Sequence, residues 1–269
     1  MIYLKSFKLS ERTVSNPNIY PYNVFRNKTG DCFIFDKITI LYGNNGSGKS
    51  TLLNLIANKL HLQGSEDLKS HGDVQYTLNY AAECACQLGD PMNEGESDRI
   101  PSGSMYIKSE DVLYEIKKIQ QEAVLKEGYL YQHAKLGYTK EQLEELKHSE
   151  RMRRQIAIMK FANEKYSNGE TSMLIFEERL APNALYLLDE PETSLSPAKQ
   201  VQLAEEINKL ARYFECQFII ATHSPFMLGT LDGKIYNLDA PQLMTCQWHE
   251  LENVKLLYEF IKKHEREFE

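Results

Sequence analysis

One stretch, Gly43-Asn44-Asn45-Gly46-Ser47-Gly48-Lys49-Ser50-Thr51, constrains this chain more than any other. It fits the pattern G-x-x-x-x-G-K-[ST]. The glycines let the backbone turn tightly and aim successive N–H groups at an anion. Such a cradle works only between a strand and the positive N-terminus of a helix. The flanks supply both. Ile38-Thr-Ile-Leu-Tyr42 is a β-branched and aromatic run, expected to be a fully buried strand. Leu52, Leu53, Ile56, Ala57 and Leu60 then recur at helical spacing. In this cradle Lys49 supplies a point charge to the β- and γ-phosphates of a nucleotide. The Ser50 hydroxyl ligates Mg²⁺, and Thr51 supports the loop.

The rest of the chain alternates strands and helices. Ala184–Leu188, Phe218–Ala221 and Lys234–Leu238 read as strands. Met173, Phe176 and Leu180 form a helical stripe, as do Leu203, Ile207 and Leu210 on a helix opening at Pro197. Val254, Leu257 and Ile261 mark a last helix. This order predicts an α/β fold around a mixed, mostly parallel sheet flanked by helices. At the N-terminus, residues 2–9 alternate as an edge or half-buried strand does, Ser10–Gly30 reads as loop, and Cys32–Phe35 as a short strand. Residues 62–103 are polar and show no clear period. Met105–Ile107 reads as a short strand and Glu110–Lys126 as a helix, followed by a turn over Gly128–Gly137. Thr139-x-x-Gln142 resembles a capping box opening a charged helix to about Asn163. The expected organisation is one domain over 1–269, with an inserted irregular and helical subdomain over 62–166.

Net charge and cysteine usage narrow the setting. A formal charge of −7 over 269 residues argues against a surface whose main task is neutralising nucleic-acid phosphates. The basic cluster Arg151-Met-Arg-Arg154 with Lys160 and Lys165 is the one candidate for touching DNA, and reads equally as a solvated helix face. Cys32, Cys84, Cys86, Cys216 and Cys246 fit no disulfide framework and are expected to be ordinary thiols in a reducing compartment. No signal-peptide core and no membrane-length apolar run stands in the sequence, so a cytoplasmic protein without membrane contact is expected.

Three further groups carry chemistry. Leu185–Leu188 runs into Asp189-Glu190. Asp189, at a strand's C-terminal end, is placed to hold Mg²⁺, and Glu190 to take a proton from an attacking water. The bland alternative is a cap for the Pro197 helix. His223, in Ala221-Thr-His-Ser-Pro225, ends another buried strand and can touch a γ-phosphate or the water. Ser167-Asn-Gly169-Glu170 pairs a hydroxyl and a glycine N–H with a helix start, an anion site or a plain helix cap. Its distance from the cradle makes sense if it meets a phosphate held by a second subunit. Ser70-His-Gly-Asp73, a similar string, stands too close behind the cradle and reads as loop.

The order of these motifs, with Leu-Leu-Asp189-Glu-Pro-Glu192, Ser194-Leu-Ser-Pro197 and Ala-Thr-His223-Ser-Pro, resembles the ATP-binding cassette (ABC) ATPases. More narrowly it resembles small stand-alone bacterial AAA-family ATPases, related to RecF and to the heads of chromosome-maintenance ATPases. The resemblance covers 1–60 and 165–240. It implies ATP and Mg²⁺ as ligands, Asp189 as the Mg²⁺ aspartate, Glu190 as catalytic base and His223 as switch histidine. Ser167, Gly169 and Glu170 become the signature, and Ser194–Pro197 the loop crossing a dimer interface. Two heads would clasp two ATP, closing on binding and opening on hydrolysis. The signature departs from the Ser-Gly-Gly-Gln of transporter subunits. The usual Q-loop glutamine has no match, and Glu110 is its nearest positional stand-in and a candidate Mg²⁺ contact. Tyr20, Tyr22 or Phe25 either stacks on adenine or packs. The function so implied is an ATP-hydrolysing switch acting on an effector protein or DNA, with genome maintenance and anti-phage defence as settings. A transporter ATPase and an ATP-loaded scaffold with negligible turnover are the alternatives.

Overall fold

A computed structural model describes residues 1–16, 18–68, 75–117 and 168–268. Strand β1 (Leu4–Lys8) pairs antiparallel with β2 (Cys32–Ile34), and a larger sheet begins at β3 (Ile38–Tyr42). The cradle follows, then helix α1 (Lys49–Lys59), α2 (Tyr76–Glu83), β4 (Ala85–Leu88) and β5 (Met105–Lys108). Helix α3 (Asn168–Arg179) precedes β6 (Leu185–Asp189), α4 (Pro197–Tyr213), β7 (Gln217–Ala221) and α5 (Pro225–Thr230). The chain then forms β8 (Lys234–Asn237), β9 (Thr245–Cys246) and α6 (Glu252–Lys263).

Two sheets result. The small one has the order β2-β1-β4 and is antiparallel. The large one has the order β5-β6-β7-β3-β8-β9, parallel except for β9. Every residue of β3, β6 and β7 is buried, as strands covered on both faces should be. Ile40 sits opposite Ile220 on one side and Ile235 on the other, at the heart of the core. Gln217 bolts the two sheets together. Its Oε1 accepts from the N–H groups of Tyr3 (2.8 Å) and Leu4 (2.9 Å), and its Nε2 donates to the carbonyls of Leu4 (2.8 Å) and Asp36 (3.2 Å). A wholly buried amide is tolerable because its hydrogen-bonding capacity is used.

Residues group into two compact units. One comprises 1–109, 181–193 and 200–269, and contains both sheets; the other comprises 110–180 and 194–199. Within the second, residues 110–117 are helical, Val112 and Ile116 among them are buried, and Glu115 pairs with Arg179 of α3. Met173, Ile175 and Phe176 of α3 are buried too.

Two details differ from the sequence expectation, and a third refines it: β1, expected as an edge or half-buried strand, is half-buried and is the middle strand of its sheet, because β4 supplies a second partner. That partner, and α2 before it, lie in the stretch that showed no period. α2 has eight residues and β4 four, too short for periodicity to register. In α6 only Val254 is buried; Ile261 stays 48% exposed. The anticipated turn at 128–137, the helix opening at Thr139, the basic cluster Arg151–Lys165 and the string 70–73 lie outside the described residues, as does the helix expected beyond residue 117. Among the described residues no helix is long and apolar enough to cross a membrane, and all five cysteines are free.

Candidate nucleotide site

The cradle closes on backbone conformations that side chains resist. Gly46 and Gly48 have φ of +85° and +95°. A Cβ on Gly48 would also stand 2.5 Å from Val24 Cγ1 and 3.1 Å from Phe25 Cε1, so the 10–30 loop packs directly against the turn. Gly43, Gly48 and Lys49 are buried, Ser47 and Thr51 half-buried, and Asn44, Asn45, Gly46 and Ser50 exposed. Asp239, just past β8, accepts from the Asn44 N–H at 2.9 and 3.1 Å and pins the loop's entry. Nothing in the local sequence marks Asp239, because the contact joins residues 195 apart.

Lys49 leads α1 and is 5% exposed. Its ammonium donates to the carbonyls of Gly43 (2.8 Å) and Asn44 (3.3 Å) and stands 3.7 Å from Glu190 Oε1. Glu190 comes from the end of β6, two strands away from β3 across β7. Its φ is +47°, an uncommon conformation for a residue with a side chain, and its N–H donates to Ala221 O at 2.9 Å. Such strain concentrates at functional positions. His223, beyond the end of β7, places Nδ1 3.5 Å from Glu190 Oε1 and 3.6 Å from Glu192 Oε1.

Asp189 is buried at the tip of β6. Its Oδ2 accepts the Tyr106 hydroxyl at 3.0 Å, while its Oδ1 has no hydrogen-bond partner. Burial pushes this carboxyl above the ordinary aspartate range; the Ser50 and Tyr106 hydroxyls pull it back, Glu190 pushes it further up, and Lys49 counters. An unpartnered buried carboxylate oxygen with a serine hydroxyl close enough to act on it suits a hard divalent cation. Among the described residues no group of three or more His, Cys, Asp or Glu could hold a metal.

The sequence assigns no role to Glu192, although it stands in the run Asp189-Glu-Pro-Glu192. It is buried; its Oε1 accepts the Thr222 hydroxyl at 2.6 Å and the His223 N–H at 3.1 Å, and Oε2 has no partner. Burial pushes its carboxyl up, against the pull of those donors. Ser224 caps α5 by accepting from Met227 N at 3.3 Å. The histidine loop is thus held from both ends.

The three early aromatics separate clearly. Tyr22 and Phe25 are buried against Tyr80, with ring centroids 4.8 and 5.8 Å from it. Tyr20 is 49% exposed and donates its hydroxyl to Thr51 Oγ1 at 3.2 Å, beside the cradle. Ser167 lies outside the described residues. Gly169 and Glu170 fall in the first turn of α3, Glu110 in the helix starting at 109, and Ser194–Pro197 at the start of α4; all four belong to the second unit. The first unit alone brings together Lys49, Ser50, Asp189, Glu190 and His223.

A glycine-rich cradle after a buried parallel strand, with Asp189-Glu190 and His223 at the ends of β6 and β7 on one side of it, is the site this α/β fold with a mostly parallel sheet presents. Residues 103–228 match the family model described as an AAA ATPase domain. The chain is also similar to the maltose/maltodextrin import ATP-binding protein MalK of Vibrio cholerae, 27% identical over 212 residues, covering 76% of this chain and 48% of that protein. It is 26% identical over 210 residues to the MalK of Vibrio vulnificus, with the same coverage. The chain thus spans about half the length of the curated relatives it matches. Among solved structures it is similar to a nucleotide-free ATP-binding cassette from an ABC transporter (TM-score 0.48, 15% identity, covering 96% of this chain and 99% of that one). It is similar too to the SMC head domain from Thermotoga maritima (TM-score 0.44, 12% identity, covering 91% and 99%).

Proposed function

We propose that this chain binds ATP with Mg²⁺, hydrolyses it slowly, and closes as a homodimer around two nucleotides to control a partner protein or DNA. The observation that carries the proposal is the meeting of Lys49, at the start of the helix after β3, with Glu190 and His223, just past the ends of β6 and β7, and with Asp189 and Ser50 beside them. Lys49 shifts its hydrogens from the Gly43 and Asn44 carbonyls to the β- and γ-phosphate oxygens. Ser50 and Asp189 would hold Mg²⁺, which when bound would supply positive charge against the phosphates. Glu190 takes the proton of the attacking water as the water oxygen bonds to γ-phosphorus, while the bond from γ-phosphorus to the β–γ bridging oxygen breaks and ADP leaves. His223, within 3.5 Å of Glu190, orients that carboxylate and the water. Tyr20 stacks on the adenine. Ser167, Gly169 and Glu170 of one copy meet the γ-phosphate of the other, and Glu110 takes the Q-loop position. The helical arm within the inserted segment transmits opening and closing to the partner, in a cytoplasmic setting such as genome maintenance or anti-phage defence.

A second reading, the ATP-binding subunit of a transporter, is favoured by the similarity to the import proteins of Vibrio. Co-purification with a membrane protein would support it, and DNA-stimulated turnover would favour the switch. The dimer itself is tested by sizing chromatography of the Glu190→Gln variant. ATP should convert its monomer to a lasting dimer; an unchanged monomer removes the sandwich.

A further inference from the structure

Asp189 treats its two oxygens differently, and Tyr106 is the reason. We infer that the Tyr106 hydroxyl is a positioning group for the metal-binding carboxylate: it occupies Asp189 Oδ2 and leaves Oδ1 as the oxygen that takes the divalent cation. The inference rests on the ATP and Mg²⁺ reading above and deepens it.

The geometry follows from the sheet. Tyr106 on β5 is in register with Leu187 on β6, two residues before Asp189. Residues two apart on a strand share a face, so a tyrosine reaches diagonally to the carboxylate. The ring is 3% exposed and the O–H···O distance is 3.0 Å. A phenylalanine would fill the same space. A buried hydroxyl is costly unless hydrogen-bonded, and this one donates to a carboxylate that is itself pressed by burial. The tyrosine is held from behind as well. Its N–H donates to Gln63 O at 2.8 Å. A Cβ on Gly64, whose φ is +88°, would stand 2.1 Å from the Tyr106 carbonyl oxygen, so glycine alone permits the approach. The Lys108 ammonium lies 5.6 Å from the ring centroid. A side chain fixed at its backbone and its tip cannot follow the carboxylate if it swings; it restrains it. Partners of this kind around a ligating carboxylate set its orientation, and their loss costs about 10- to 100-fold in metal affinity.

The test compares the parent chain with Tyr106→Phe, Asp189→Asn and the double variant. Binding of a fluorescent non-hydrolysable ATP analogue is followed in EDTA and then across a Mg²⁺ titration. Tyr106→Phe should leave binding in EDTA unchanged and raise the Mg²⁺ concentration for half-maximal enhancement about tenfold. In the Asp189→Asn background the same substitution should change nothing further. An unaltered Mg²⁺ requirement overturns the inference. So does an equal loss in EDTA, which would mean that Tyr106 supports the fold rather than the ion. A parent chain whose analogue binding ignores Mg²⁺ would bring down the ATP and Mg²⁺ reading itself, a result separate from either of these.

Discussion

The Lys49 ammonium stands 3.7 Å from Glu190 Oε1, joining the helix after β3 to the tip of β6. Both groups are tethered elsewhere: Lys49 to two carbonyls of its own loop, Glu190 through its N–H to β7. On the proposed function, the pair marks where the phosphate-gripping loop would meet the strand carrying the base. A γ-phosphate entering between them would take hydrogen bonds from the lysine and leave the carboxylate for water.

Replacing Lys49 by Ala should abolish tight nucleotide binding. The ammonium can make charge-assisted bonds to phosphate, each worth about 1.5–3 kcal/mol, so affinity should fall about a hundredfold or more. Equilibrium binding of labelled ATP measures this, and retained affinity would contradict the cradle.

Gly48→Ala should damage fold and site together. The alanine must adopt φ near +95° and press on Val24 and Phe25. A strained backbone of this kind costs about 1–3 kcal/mol. Urea unfolding should show the loss, and nucleotide affinity should drop with it.

Glu190→Gln should cut turnover by about 10²–10⁴-fold, the range for losing a general base, while ATP binding persists. Single-turnover hydrolysis with a parallel binding assay separates the two quantities. Equal loss of both would make Glu190 a binding group.

Glu192→Gln offers a pH signature. Burial raises the folded-state affinity of Glu192 for its proton, so the ionised form weighs against the fold. A group raised on folding favours the native state at low pH and gives up that advantage as pH rises through its folded value. The glutamine, always neutral, should melt a few degrees above the parent at pH 8, since about 1 kcal/mol corresponds to about 2–4 °C in a domain near this size. The gap should close as pH falls toward the carboxylate range. Parallel melting curves at all pH values would refute the assignment.

Tyr20→Ala should weaken ATP about tenfold, as base stacking on an aromatic contributes about 1–3 kcal/mol. Affinity for inorganic tripolyphosphate, which has no base, should stay put. If both fall together, Tyr20 serves the cradle through Thr51 rather than the adenine.

Much of this was legible in the chain itself. Gly43–Thr51, the run Ile38–Tyr42 and the stripe in α1 fixed a strand, a turn and a helix in order, because each depends on neighbours a few residues away. β6, β7, β8 and α4 were readable for the same reason, and Asp189, Glu190 and His223 stood at the ends of runs too apolar to be anything but buried strands. Short elements escaped: α2 and β4 bury too few residues to leave a period. What only the tertiary structure decided was partnership. Tyr106 on Asp189, Asp239 on Asn44, Gln217 across two sheets and Glu192 beneath His223 join residues from 30 to more than 200 positions apart. The early aromatics could not be told apart until packing put Tyr22 and Phe25 inside and left Tyr20 at the rim. Local sequence sets what a segment can become, since backbone preference and side-chain period are short-ranged. Which buried polar atom finds which partner is settled by the strand order of the sheet, and that exists only once the chain has folded.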